Sequence, residues 1–162
     1  MEKVYLGLGS NIDPDMNLRL GIRELRARFG ELEISPVYRS SAVGFEGPDF
    51  LNLVVGLETD ASPREIFDQI EAIHNMAGRD RDEEKYSSRP LDIDLLLYSD
   101  LVVDERPVRV PRSDILEYSF VLRPLSELAP DLVHPVTGLT MAEHWRTFDR
   151  DSHPLTPVEA EL

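Results

Sequence analysis

The apolar positions change period along the chain, and the changes mark its elements. Residues 2–8 (EKVYLGL) read as a short strand that Gly9-Ser10-Asn11 breaks. Asp13-Pro14 has the form of a helix N-cap followed by proline at the first helical position. Leu18, Ile22, Leu25 and Phe29 then recur on one helical face, and Gly30 supplies a stop. Leu32–Arg39 reads as a second strand, residues 40–49 as a loop of small and turn-forming residues, and Phe50–Thr59 as a third strand. In that third strand Leu51, Leu53, Val55 and Leu57 share one face; Phe50, Asn52 and Val54 share the other. Ser62-Pro63-Arg64-Glu65 fits a capping box, and a stripe of Ile66, Ile70, Ile73 and Ala77 follows until Gly78.

Residues 79–90 are highly charged and show no apolar period. Leu91–Tyr98 is nearly continuous in apolar residues, which predicts a central strand. Val102-Val103 and Val108–Val110 predict a small edge hairpin, with short helical pieces beyond Pro111 that include Ser126–Ala129 and Met141–Phe148. Residues 149–162, with Pro154, Pro157 and several acidic side chains, predict a frayed tail. The order β-α-β-β-α-β predicts a single-domain α+β fold: a ferredoxin-like sheet with helices packed on it.

Composition narrows the class. A chain of 162 residues, 41% hydrophobic and 30% charged, suits one soluble globular domain. No apolar run approaches the ~20 residues of a membrane span, and MEKVYLGLGS lacks the parts of a signal peptide. The absence of cysteine excludes a disulfide framework, a thiolate nucleophile and a sulfur-ligated zinc, and fits a cytoplasmic setting. A net charge of −14 argues against nucleic-acid and anionic-membrane partners. An anionic ligand therefore needs a local cluster drawn from the 17 basic residues, or a metal.

Asp92 and Asp94 lie two apart in the apolar strand, so they project to one face. Two adjacent carboxylates repel each other and lose hydration on burial. A divalent cation removes both costs, and carboxylates with phosphate oxygens and water are the usual ligands of Mg²⁺. Taken alone, the pair fits the solvent-exposed start of a strand more readily. Arg79, Arg81, Lys85 and Arg89 precede it within eleven residues. Alone they fit a solvated loop; beside a metal pair they supply what a polyphosphate needs. There is no phosphate-binding glycine loop, and Gly7-Leu8-Gly9 is not one. Asn52 can read the edge of a flat heterocycle, and Phe50 and Phe120 can stack on one, although an edge asparagine and core phenylalanines fit the same spacing.

The stretch Lys85-Tyr86-Ser87-Ser88-Arg89-Pro90-Leu91-Asp92-Ile93-Asp94-Leu95-Leu96 resembles the signature of the 6-hydroxymethyl-7,8-dihydropterin pyrophosphokinase family. The resemblance runs from residue 3 to about 146 and includes Gly9-Ser10-Asn11, Tyr38-Arg39-Ser40, Phe50-Leu51-Asn52, Gly78-Arg79, Val110-Pro111, Phe120–Leu125 and His134-Pro135. It implies a pyrophosphokinase domain over residues 1–148, ahead of the tail. It implies transfer of diphosphate from ATP to the pterin hydroxymethyl group, with loss of AMP, in folate synthesis. Asp92 and Asp94 would hold two Mg²⁺ ions, with Arg79, Arg81 and Arg89 on the polyphosphate, partly from a mobile loop. Arg79 and Arg89 would count with the acidic pair as catalytic. Asn52 would read the pterin beside Ser40 and Val43, with Phe50 and Phe120 flanking the ring. The partners implied are ATP and the hydroxymethyl-dihydropterin, acting on a monomer. Four features depart from the family pattern: Tyr86-Ser87-Ser88 replaces Trp-Gly and a proline, Arg112 replaces a histidine on the ATP side, His74 replaces an acid, and Tyr118 replaces an arginine. Two rivals remain: a divergent paralogue that binds pterin and nucleotide with little turnover, and a metal-dependent nucleotidyltransferase.

Overall fold

In the computed structural model, which describes residues 1–78, 90–160 and 162, two long strands carry the sheet. β1 (Glu2–Ser10) and β4 (Phe50–Thr59) run antiparallel, in register from Glu2 opposite Thr59 to Ser10 opposite Leu51. β5 (Asp92–Tyr98) pairs with the other side of β1. β2 (Glu33–Ile34) and β3 (Val37–Ser40) both pair with β4. The order is β5-β1-β4-β3, extended by β8 (Thr156–Val158) beyond β3. A separate hairpin joins β6 (Val103–Glu105) and β7 (Val108–Val110).

One face of the sheet is covered by α1 (Pro14–Phe29) and α2 (Pro63–Met76). Their predicted stripes, Leu18, Ile22 and Leu25 with Ile66, Ile70 and Ile73, bury against Val4, Leu6 and Leu8 of β1 and Leu51, Leu53, Val55 and Leu57 of β4. Three of the helix boundaries are as read: Ser62 accepts the Glu65 amide at 3.2 Å, and Gly30 and Gly78 take φ of 85° and 78°; Asp13 stands at the α1 N-cap position but at φ 42° and without a side-chain capping bond. The opposite face carries α3 (Asp114–Glu117), α4 (Ser119–Leu128) and α5 (Met141–Thr147), whose Ile115, Leu122, Leu125 and Met141 pack on Tyr5, Val54 and Leu96. The result is a mixed α/β arrangement with an antiparallel sheet and five helices among the described residues. No helix among the described residues is long and apolar enough to cross a membrane.

Several expectations change. The Leu91–Tyr98 strand is not central: β5 is the outer strand beside β1. Its apolarity reflects cover on both faces, and its outer edge is met by non-strand groups. His74 Nε2 accepts the Ile93 amide at 2.9 Å, and the Arg112 amide donates to Leu96 O at 3.0 Å. β1 runs on through Gly9 and Ser10 rather than breaking there. The Leu32–Arg39 strand divides at Ser35-Pro36, where Ser35 Oγ accepts the Val54 amide at 2.8 Å and Pro36 has no N–H to offer. The piece read at Ser126–Ala129 belongs to α4, which begins at Ser119 and runs through Pro124. The tail is tied down over part of its length, since Val37, Tyr38 and Arg39 pair with Val158, Pro157 and Thr156. Ser119 Oγ also donates to His153 O.

Candidate active site

A cleft of about 320 Å³ opens on the sheet face opposite α1 and α2. Its floor follows from the strand register. Gly9 of β1 lies between Asn52 on β4 and Asp92 on β5; Gly7 lies between Val54 and Asp94. Residues directly opposite in a sheet share a face, so each row places a side chain, a gap and a carboxylate in line. With strands ~4.8 Å apart, Asn52 and the acidic pair stand about 10 Å apart in backbone terms across Gly9, which presents no side chain, while the Leu96 side chain covers Gly7. A Cβ on Gly9 would come within 3.2 Å of Asn52 Oδ1, and one on Gly7 within 3.4 Å of the Leu96 side chain. These glycines do not cradle phosphate as a loop; they make the trough.

Asn52 is fixed from behind. Its Nδ2 donates to Ser40 Oγ at 2.8 Å and reaches Tyr38 O at 3.4 Å, with Asn52 and Ser40 only 7% and 4% exposed. That leaves Oδ1 toward Gly9 as the acceptor for an N–H-bearing ligand edge. Ser40, Val43, Phe50 and Phe120 all line the same cleft. Phe50 meets Phe45 edge-on at 6.4 Å, and Phe120 stacks on Tyr118 at 4.9 Å with His153 edge-on to both. The cleft therefore has an aromatic end and an acidic end.

At the acidic end Asp92 and Asp94, both half-buried, line the cleft with Arg112 and Asp114. Arg112 Nη1 lies 3.7 Å from Asp94 Oδ1 and Nη2 lies 3.2 Å from Asp114 Oδ1. Burial works to lower the Arg112 pKa, but the Asp94, Asp114 and Asp92 carboxylates leave it raised above its ordinary value. Two hard oxygen donors at the acidic end of an open trough suit Mg²⁺ completed by phosphate and water oxygens. Among the described residues no group of three His, Cys, Asp or Glu side chains forms a closed metal cage. The pair thus fits a metal that arrives with its anionic ligand.

Neighbouring elements hold these groups. Buried Ser10 donates to Pro90 O at the entry to β5, and Asn11 donates to Pro48 O at 3.2 Å in the loop above the cleft. The Gly9-Ser10-Asn11 motif thereby ties β1 to both rims. His74 is 3% exposed; its Nδ1 faces Glu71 at 3.2 Å, while Nε2 holds the Ile93 amide between the two aspartates.

Arg79, Arg81 and Arg89 lie outside the described residues, as does the loop expected to be mobile. The structure gathers Ser40, Val43, Phe50, Asn52, Asp92, Asp94, Arg112 and Phe120 into one cleft. Reading the sequence missed Gly7, Gly9, Phe45 and Asp114 as lining residues, and placed Tyr118 only as a departure from a pattern. Two glycines alternating with leucine in a strand were the available signal for a cleared face.

A sequence model of the 7,8-dihydro-6-hydroxymethylpterin-pyrophosphokinase (HPPK) family matches residues 5–130. The chain is 38% identical over 138 residues to a 2-amino-4-hydroxy-6-hydroxymethyldihydropteridine pyrophosphokinase of Aquifex aeolicus, covering 84% of this chain and 86% of that one. It is 40% identical over 141 residues to the protein of the same name from Synechocystis, covering 85% and 72%. Among solved structures, wild-type HPPK-DHPS of Plasmodium falciparum matches with a TM-score of 0.69 at 13% identity. That match covers 90% of this chain but only 44% of the longer one, and it is a likeness of fold.

Proposed function

The chain belongs to the 7,8-dihydro-6-hydroxymethylpterin-pyrophosphokinase family, and from that premise we infer that it transfers diphosphate from ATP to 6-hydroxymethyl-7,8-dihydropterin in folate synthesis. The observation that carries the reading is the row Asn52–Gly9–Asp92, which sets the Asn52 amide and a carboxylate pair at opposite ends of one trough. The pterin lies over Gly9 with its N–H edge at Asn52 Oδ1, and Phe50 and Phe120 flank the ring. Its hydroxymethyl group then faces Asp92 and Asp94. Two Mg²⁺ ions held by these carboxylates would neutralise phosphate charge. Arg112 adds donors at the same end, and Arg79, Arg81 and Arg89 add positive charge just before β5 in sequence.

In the transfer the hydroxymethyl oxygen bonds to the β-phosphorus as the bond from that phosphorus to the α–β bridging oxygen breaks; AMP departs and the hydroxyl proton is lost to solvent. The residues act by alignment and charge compensation rather than by covalent chemistry. Asn52, anchored by Ser40, fixes the nucleophile's direction, and the glycine floor lets the ring lie flat. The core β5-β1-β4 with β2 and β3, backed by α1 and α2, has the strand order of a ferredoxin-like sheet, and the chain acts as a cytoplasmic monomer. Purified protein given the hydroxymethyl-dihydropterin and Mg-ATP should yield pterin diphosphate and AMP in equal amounts. Release of pyrophosphate would instead mark nucleotidyl transfer, and binding of both substrates without turnover would mark a divergent paralogue.

A further inference from the structure

Arg112 is held in two ways that differ in strength. Its backbone amide is pinned to Leu96 O at 3.0 Å, on the strand that carries the acidic pair. Its guanidinium is shared unequally, at 3.2 Å from Asp114 and at the longer 3.7 Å from Asp94. Its buried Nε has no hydrogen-bond partner among the described residues. The side chain is therefore incompletely satisfied where it sits, while its backbone cannot leave. A positive charge so close to Asp94 offsets the repulsion between the two carboxylates, and it would repel a divalent cation arriving at the same oxygen.

We propose that Arg112 is a resident counter-ion of the Asp92–Asp94 pair that competes with the divalent metal for Asp94, and that Asp114 is the positioning residue that retains the guanidinium when the metal takes over. This rests on the metal-binding reading of Asp92 and Asp94 given above. Arg112 thus keeps the acidic end neutralised before loading, and it remains beside the site, on Asp114, as a donor for the phosphates that follow. Metal affinity is lower than the carboxylates alone would give.

The test is direct titration of the full chain with Mn²⁺, free Mn²⁺ being counted by electron paramagnetic resonance, with Mg²⁺ as competitor and no nucleotide. Arg112→Gln should tighten Mn²⁺ binding by about fivefold, the weight of one half-exposed ion pair. Arg112→Met carries the same expectation should the first variant fold poorly. Arg112→Lys, which keeps the charge, should stay near wild type. Asp114→Asn should weaken binding in the wild-type background and have no effect in the Arg112→Gln background, because Asp114 acts through Arg112. Unchanged or weaker binding on neutralising Arg112, equal tightening by Arg112→Lys, or an Asp114→Asn effect that persists in the double variant would overturn the proposal. If neither wild type nor Arg112→Gln binds Mn²⁺ without nucleotide, Arg112 does not set metal loading of the free site and the proposal is overturned, while the metal reading is decided separately by turnover of the Asp92→Ala and Asp94→Ala variants.

Discussion

Replacing Gly9 by alanine adds a single methyl group to the middle of the trough. Gly9 sits in a regular strand, so alanine meets no backbone strain there. Relieving glycine of its unfolded-state freedom would by itself add about 0.5–1 kcal/mol of stability. The new Cβ would lie 3.2 Å from Asn52 Oδ1 and 3.8 Å from both Leu51 O and Phe50 Cδ1. Asn52 cannot turn aside without breaking its 2.8 Å bond to buried Ser40. The methyl therefore both crowds the pterin plane and spoils the acceptor that reads its edge. Losing that hydrogen bond costs about 1–3 kcal/mol, a drop in pterin affinity of roughly 5- to 150-fold. The 3.2 Å contact with the held Asn52 side chain offsets the stability gain from alanine, so the melting temperature should stay near wild type while pterin affinity falls, a split that general destabilisation cannot produce. Isothermal titration with the pterin, and separately with an ATP analogue, alongside thermal melts, reads all three quantities. Pterin affinity within about twofold of wild type, or an equal loss for ATP, would refute the trough as the pterin seat.

Asp92→Ala and Asp94→Ala should each lower Mg-dependent turnover by about 100-fold or more while the protein still melts cooperatively near its normal temperature; near-normal turnover in both would remove the metal assignment. His134 has its pKa lowered from 6.5, by burial first and His144 second, and its Nδ1 accepts the Val136 and Thr137 amides at 3.2 and 3.3 Å. A depressed folded pKa gives stability that is complete above about pH 6.5 and is lost as pH falls through the folded value, so melting temperature should drop between pH 7 and 5, and His134→Asn should flatten that part of the profile. Deleting residues 151–162 removes β8 from β3 and the His153 ring from Tyr118 and Phe120. Thermal stability and pterin affinity should both fall, and a truncated protein with unchanged melting and binding would show the strand pairing to be incidental.

What the sequence settled by itself is local. The Ser62 cap, the stops at Gly30 and Gly78, the stripes of α1 and α2 and the limits of β4 depend on residues within a few positions of one another. The common face of Asp92 and Asp94 is local too, because strand alternation fixes it and a neighbouring strand cannot change it. Tertiary structure decided whatever depends on partners distant in sequence. An apolar strand reports that both faces are covered, not which strands flank it, so β5 reads as central but lies outermost, its edge met by His74 and Arg112. The sequence reads a helical piece only at Ser126–Ala129, yet α4 starts at Ser119 and passes through Pro124, with Val121, Leu122 and Leu125 buried on either side of it. Pro154 and Pro157 read as fraying, yet β3 offers an open edge that residues 156–158 fill. The trough appears only when register sets Gly7 and Gly9 between β4 and β5, and Arg112 and Asp114 join the acidic pair only when the chain after β7 returns to Leu96. Periodicity encodes how many sides of an element are buried; which residues meet there is set by pairing across tens of residues, and only the folded chain specifies it.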